Sequence, residues 1–393
     1  MGGRTLQDQQ KDDRYAGREH SRIKHLFLTE YLKAAAFKTF QGRSPIFNYI
    51  DGFAGPWSVS DEEDYSDTSF AQSIKTLLAV KEALETTRRE RFTVRFYLCE
   101  KNPLRVERLR QYADRQQSLN IRVFEGPFET RLDDIAKECA RGFSFTFIDP
   151  TGFNLGSLEI AQFLARMDGE FLLNFMSEHI NRYPSVESVR ATFGRLLADT
   201  DWKVRFDALP SHLKNEQRIL IILKERMKEL GAARYMPDFE ILNPRAKRLQ
   251  MRLVLGTNHP AGVEAFREVQ VKIEPTQHEI REGIRHPGQA SMFNLAVNDG
   301  VGSRAACGDA RRIITNMLAD QPSVRFDDLI GPVMENAAVR LTHLKDILGD
   351  MRKAGEVAFE LAGRQKKPNL GTVIRRGGEA DVGAEADARR NRK

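Results

Sequence analysis

Asn48-Tyr49-Ile50-Asp51-Gly52-Phe53-Ala54-Gly55-Pro56 is the stretch on which the reading of this chain turns. The apolar run from Pro45 to Ile50 has the pattern of a buried strand, and it ends in Asp-Gly-x-x-Gly. Glycines in such a turn let the backbone come close to a bound ligand. An acid and a glycine turn at the carboxyl end of a first strand is where open α/β sheets hold nucleotides. The dinucleotide fingerprint Gly-x-Gly-x-x-Gly is absent, because Ala54 stands third and Trp57 sixth. That disfavours a hydride-transfer dehydrogenase.

Four further strand patterns follow, each closing on a polar or glycine turn. Thr93–Cys99 runs into Glu100-Lys101, and Ile121–Phe124 into Glu125-Gly126-Pro127-Phe128-Glu129. Gly142–Ile148 is almost wholly apolar, as a central parallel strand is, and ends in Asp149-Pro150-Thr151-Gly152-Phe153. Glu170–Met176 runs through Asn174 into Ser177-Glu178-His179-Ile180-Asn181-Arg182. Helical patterns separate these strands: one carries Lys24 and His25, one is read as capped by Ser69, and one starts at Pro103. The alternation predicts an α/β, doubly wound, Rossmann-like sheet whose polar strand ends share one rim. On that rim Glu100 is the expected ribose-hydroxyl ligand, and an adenine ring would lie against the loop at Phe128. The acidic segment Trp57–Asp67 reads as a lid, as a solvated loop or, less readily, as a divalent-ion site.

At 393 residues the chain is too long for one ordinary core. Residues 1–20 read as a disordered N-terminus and 21–274 as the Rossmann-like domain, completed by an antiparallel pair at Tyr235–Leu242 and Leu249–Leu255. Residues 275–304 read as a linker, 305–363 as three helices and a strand in winged-helix order, and 364–393 as a basic disordered tail. Thr342, His343, Lys345 and Arg352 would face outward from the third of those helices. The net charge is +6, and +5 of it falls between Arg364 and Lys393. The tail reads as a solvated segment, with a phosphate-binding arm as the alternative.

Cys99, Cys139 and Cys307 are too few and too scattered for metal-ligand spacing, and suit reduced core thiols in a cytoplasmic protein. The N-terminus lacks a secretory apolar core, and no apolar run reaches the roughly 20 residues that span a membrane.

Tyr-Ile-Asp-Gly-Phe-Ala-Gly at 49–55, Phe-Ile-Asp-Pro-x-Gly at 147–152, Asn-Phe-Met at 174–176, Ile-Asn-Arg at 180–182 and Thr-Asn-His-Pro-x-Gly at 257–262 together resemble the three-Cys-motif partner proteins (TcmP). The likeness covers about residues 20–275. It implies a class I methyltransferase fold, S-adenosylmethionine as cofactor, and a separate radical-SAM-like partner protein that carries the three cysteines. Under it, Asp51, Gly52, Phe53, Ala54, Gly55, Glu100 and Phe128 would line the cofactor. Asp149, Pro150 and Phe153 would fill the catalytic motif, and Lys24, His25, Asn174, His179 and Arg182 would border the substrate. In amino-methyltransferases that motif reads Asp/Asn-Pro-Pro-aromatic, with the carboxylate and the proline carbonyl receiving the acceptor amine. Here Thr151 and Gly152 displace the second proline and the ring, and Phe153 comes one residue late. Three functions follow as expectations: amine methylation in RNA or DNA, methylation of a small molecule or of the partner protein, and a non-catalytic SAM-binding adapter.

Overall fold

The computed structural model describes residues 15–55, 65–180, 189–285, 300–361 and 363–377. Two units emerge: residues through Asn258 together with Lys272 onward, and His259–Val271 together with the residues from 300.

In the first unit the strands are β1 (Ile46–Asp51), β2 (Thr93–Glu100), β3 (Asn120–Glu125), β4 (Phe143–Ile148), β5 (Gly169–Phe175), β6 (Asp238–Leu242) and β7 (Leu249–Gly256). They form one sheet in the order β3-β2-β1-β4-β5-β7-β6. The first five run parallel, and β7 lies antiparallel to both β5 and β6. A parallel sheet closed by an antiparallel hairpin in this order is the class I methyltransferase form of the Rossmann-like fold. Strand order reverses between β1 and β4, where open α/β sheets bind ligands beyond their carboxyl ends.

Helices cover both faces. They are α1 (Glu19–Lys38), α2 (Ser69–Arg88), α3 (Pro103–Arg115), α4 (Leu132–Glu138), α5 (Ser157–Arg166), α6 (Ser177–Ile180), α7 (Arg190–Leu197), α8 (Trp202–Ala208), α9 (Asn215–Glu229) and α10 (Pro260–Arg285). Successive strand side chains point to opposite faces. Tyr49 and Phe145 stack at 6.4 Å on one face, where Tyr31 of α1 meets Phe145 at 5.8 Å. Ile50, Ile148 and Leu173 turn the other way, into a core with Ile160 and Phe163 of α5 and Ile219 of α9. Burial on both sides is why β1 and β4 are mostly apolar, with only Asn48, Ser144 and Thr146 as polar residues before the rim.

The structure corrects several expectations. Thr68, not Ser69, caps α2, its hydroxyl accepting from Ala71 N. The disordered N-terminus does not extend to residue 20: Tyr15 is buried and α1 begins at Glu19. Residues 275–285 are helical, with Pro275 inside α10. Gln277 accounts for this local choice, since its amide accepts from Leu242 N and donates to Glu240 O, tying the helix to the edge strand β6.

The second unit contains α11 (Arg304–Asp320), β8 (Ser323–Arg325), α12 (Phe326–Asn336), α13 (Leu341–Lys353), β9 (Val357–Ala358) and β10 (Val373–Arg376). Its antiparallel sheet has the order β8-β10-β9. β10 lies in the segment expected to be a disordered tail. It takes the central place there: Ile374 is fully buried opposite Val324 of β8, and Arg375 and Arg376 pair with β9.

Candidate active site

β1 delivers Asp51 to the rim, fully buried. The Asp51 carboxylate accepts from Phe53 N at 3.0 Å, from Ser69 Oγ at 2.9 Å and from Tyr49 OH at 3.3 Å. Burial pushes its pKa up to about 6; the bonds from Phe53 N and Ser69 oppose the shift, and the charge on Asp149 adds to it. The loop beyond Asp51 is pinned to both neighbouring strands, with Gly52 N donating to Phe147 O at 3.0 Å and Ala54 N to Cys99 O at 2.9 Å. At two positions a side chain would force a neighbour to move. A Cβ on Gly52 would come within 2.8 Å of the Phe128 ring, and one on Gly55 within 1.7 Å of Glu100 Oε2.

β2 delivers Glu100, 5% exposed. Its Oε1 accepts from Asn102 N at 2.7 Å, while Oε2 faces the backbone of Gly55 and has no hydrogen-bond partner among the described residues. A carboxylate oxygen that meets no donor among the described residues suits a ligand hydroxyl, and the glycine beside it keeps the space that a side chain would fill. These two observations fit the ribose of an adenosyl cofactor. Phe128 does not offer a face to an adenine ring. It is 1% exposed beneath Gly52, and meets Phe53 and Phe163 edge-on at 6.0 and 6.1 Å. Its role is to support the loop, and Phe53, only partly buried, is the ring nearer the surface.

β4 delivers Asp149, whose carboxylate is gripped from two sides. Lys24 Nζ of α1 donates to Oδ2 at 2.5 Å, and Asn174 Nδ2 at the end of β5 donates to Oδ1 at 2.7 Å. Burial alone would raise the Asp149 pKa, but the Lys24 charge and the two bonds outweigh it and hold the carboxyl below its usual value. Asn174 Oδ1 is buried with no hydrogen-bond partner among the described residues, a second acceptor left open on the rim. Sequence separation hid this cluster, since Lys24 and Asp149 are 125 positions apart.

The remaining candidates go elsewhere. His25 is buried, its Nδ1 paired with Tyr15 OH at 2.8 Å, and Tyr15 also meets Gln72. Burial, helped by the Lys24 charge, pushes its pKa down to about 3, so it stays neutral and brings no cation to a substrate. Phe153 stacks on Phe193 of α7 at 5.1 Å and 19°, within the packing of that helix, and is not a ring held over the rim. Pro150 is buried directly beside Asp149. His179 belongs to α6, and no more of it is described. Asn181, Arg182 and most of the acidic loop (56–64) lie outside the described residues. Ser69, Tyr15 and Gln72 were not legible as participants from sequence.

Burial pushes the Cys99 and Cys139 thiols up to about 12, as inert core thiols require. Among the described residues no group of His, Cys, Asp and Glu could hold a metal ion, and no helix is long and apolar enough to cross a membrane. A cavity of about 540 Å³ lies between α1, α2 and the end of α3, bordered by Arg22, Lys33, Lys75 and Tyr112. It holds none of the strand-end acids, so the chemistry of the rim, not cavity size, marks the site.

No family model and no curated protein matches the sequence. Solved structures that resemble it include a Legionella pneumophila protein of the DUF519 family, at 13% identity over 67% of this chain and 93% of that one, with a TM-score of 0.39. An Escherichia coli protein assigned as a methyltransferase aligns at 11% identity over 54% and 78%, with a TM-score of 0.27. A Staphylococcus aureus protein assigned as a caffeoyl-CoA O-methyltransferase aligns at 10% over 64% and 96%, with a TM-score of 0.31. Likeness at these scores carries no argument about this chain. The fold assignment rests on strand order.

Proposed function

We propose that this chain is an S-adenosylmethionine-dependent methyltransferase whose acceptor is an amine of RNA or DNA, and that it works beside a three-Cys-motif partner protein. One observation carries the reading. Three adjacent parallel strands, β2, β1 and β4, end in Glu100, Asp51 and Asp149 along a single rim, at the point where strand order reverses. Glu100 Oε2 would take a ribose hydroxyl, and the loop from Gly52 to Gly55 would line the cofactor's amino-acid end. The cofactor, when bound, supplies an electrophilic methyl sulfonium.

Asp149 suits the acceptor side. An ionised carboxylate offers about four lone-pair sites, and Lys24 and Asn174 occupy two of them. The remaining acceptor capacity can orient an amine N–H, while the two bonds fix the carboxylate in place. No general base is needed, because an amine can release its proton after transfer.

A second reading has its own support. Thr151 and Gly152 bring no ring to the motif, and Phe153 packs against Phe193, which suits an adapter that binds the cofactor without transferring its methyl group. Calorimetry with S-adenosylmethionine and its demethylated product tests what both readings share. Binding weakened at least tenfold by Asp51→Ala and by Glu100→Ala is expected, and no binding at millimolar ligand would overturn both. Tritiated methyl transfer to total RNA, genomic DNA and the co-expressed partner then chooses between them. Label in nucleic acid, lost in Asp149→Ala, supports the first reading; label in the partner alone, or none, removes it.

A further inference from the structure

The excess positive charge of the chain lies in a folded hairpin. Residues 364–377 hold Arg364, Lys366, Lys367, Arg375 and Arg376 and no acid, whereas residues 378–393 hold four cations and four acids. The other described residues of the second unit carry nine Lys/Arg against eleven Asp/Glu. The basic charge thus concentrates on β10 and the loop leading to it from β9. Arg364, Lys366, Arg375 and Arg376 are all exposed, with no ion-pair partner among the described residues. The same segment exposes Leu370 (61%) and Val373 (39%).

α13 is the contrary case. Of the side chains expected to face outward from it, Lys345 lies over the Phe326 ring at 5.8 Å and Arg352 over Phe359 at 4.9 Å. His343 is wedged against Gly302, where a Cβ would come within 2.2 Å of its ring. The exposed carboxylates of α13 are Asp346, paired with Lys367, and Asp350, paired with Lys353. A helix face carrying two acids is poorly suited to a groove walled by phosphates.

We propose that the second unit binds duplex nucleic acid through the β9–β10 hairpin and not through α13. Arg364, Lys366, Arg375 and Arg376 meet backbone phosphates, and Leu370 rests against the sugar edge between them. The charge pattern favours nucleic acid over an anionic membrane. Two apolar side chains give little to insert into lipid, whereas affinity for a polyphosphate rises with each phosphate neutralised. The inference is independent of methyl transfer and stands or falls without a cofactor.

The test uses the full chain and fluorescence anisotropy on 20-base-pair RNA and DNA duplexes of mixed sequence. Four phosphate contacts give a slope of log affinity against log salt of roughly −3.6, about a hundredfold loss between 50 and 200 mM salt. Changing all four cations to glutamine should weaken binding at least thirtyfold and flatten the slope to near zero. Single Arg364→Gln and Arg376→Gln changes should each cost a few-fold. Circular dichroism should be unchanged, because none of the four side chains has an ion-pair or hydrogen-bond partner among the described residues. Thr342→Ala and Arg352→Gln should alter affinity less than twofold. The proposal is overturned if the full chain binds neither duplex, if the fourfold variant binds like the parent, if the α13 changes cost more than the hairpin ones, or if phosphatidylserine vesicles bind as tightly as duplex at equal salt. The RNA and DNA arms decide which duplex is preferred.

Discussion

Replacing Lys24 with methionine leaves the Asp149 carboxylate in a site where 20% of its side chain reaches water, with Asn174 as its remaining described donor. The methionine fills a similar volume, so lost charge dominates over lost packing. Removing one partner of a buried ion pair costs about 3–5 kcal/mol, and the partial exposure of Asp149 argues for about 3. For a domain of this size that lowers the thermal midpoint by roughly 6–10 °C at pH 7. The pH dependence gives a sharper signature. In the parent chain the folded pKa of Asp149 is below its unfolded value, so its stabilising contribution is present above an unfolded pKa of about 3.9 and is lost only as pH falls through the lower folded value. Without Lys24, burial raises the folded pKa above the unfolded one. Ionised Asp149 then destabilises the variant at neutral pH, and that penalty disappears on acidification. Scanning fluorimetry of parent and variant should therefore show a gap that narrows between pH 7 and pH 4. Adding Asp149→Asn to Lys24→Met should recover at least half of the loss at pH 7. A gap under about 1 °C, or one unchanged by pH, would refute the account of the cluster.

Gly55→Ala places a Cβ 1.7 Å from Glu100 Oε2, so either the loop or the carboxylate must move. Calorimetry should show a folded protein with at least tenfold weaker S-adenosylmethionine binding, and equal affinity would separate the loop from the cofactor. Asp51, with a folded pKa of about 6 against about 3.9 unfolded, is protonated in the native state at pH 4 and costs stability as pH rises to 6. At about 1.4 kcal/mol per unit this amounts to about 3 kcal/mol, and urea midpoints of Asp51→Asn should lack that decline. Phe153→Ala should lower stability by about 2 kcal/mol through lost packing on Phe193 while leaving cofactor affinity unchanged; weaker binding would return Phe153 to the rim.

The sheet was legible because its central strands are buried on both faces. Phe143–Ile148 and Phe171–Phe175 read as apolar runs with few alternatives, and the turns after them mark the rim. Glu100 and Asp149 were legible for the same reason, as acids in the first position after such a run. What escaped depended on partners distant in sequence. Nothing near Lys24 announces Asp149, and adjacent hydroxyls at Thr68 and Ser69 give no sign of which caps α2 and which serves Asp51. Pro275 reads as a helix breaker until Gln277 is seen holding β6. β10 is four residues long, and its reason to be a strand lies in β8 and β9 on either side of it.

α10 contributes Pro260–Val271 to the second unit and its later residues to the first. Within the second unit the buried Arg267 donates from Nε to Met334 O and from Nη2 to Glu335 O, both at 2.8 Å, closing the end of α12. The second unit is therefore not a contiguous cassette. Recombination that joined or removed it at residue 300 would strand a buried guanidinium on one product and leave two unanswered carbonyls on the other. Its inheritance is tied to that of the sheet, and a functional swap between relatives has to cross over inside a helix.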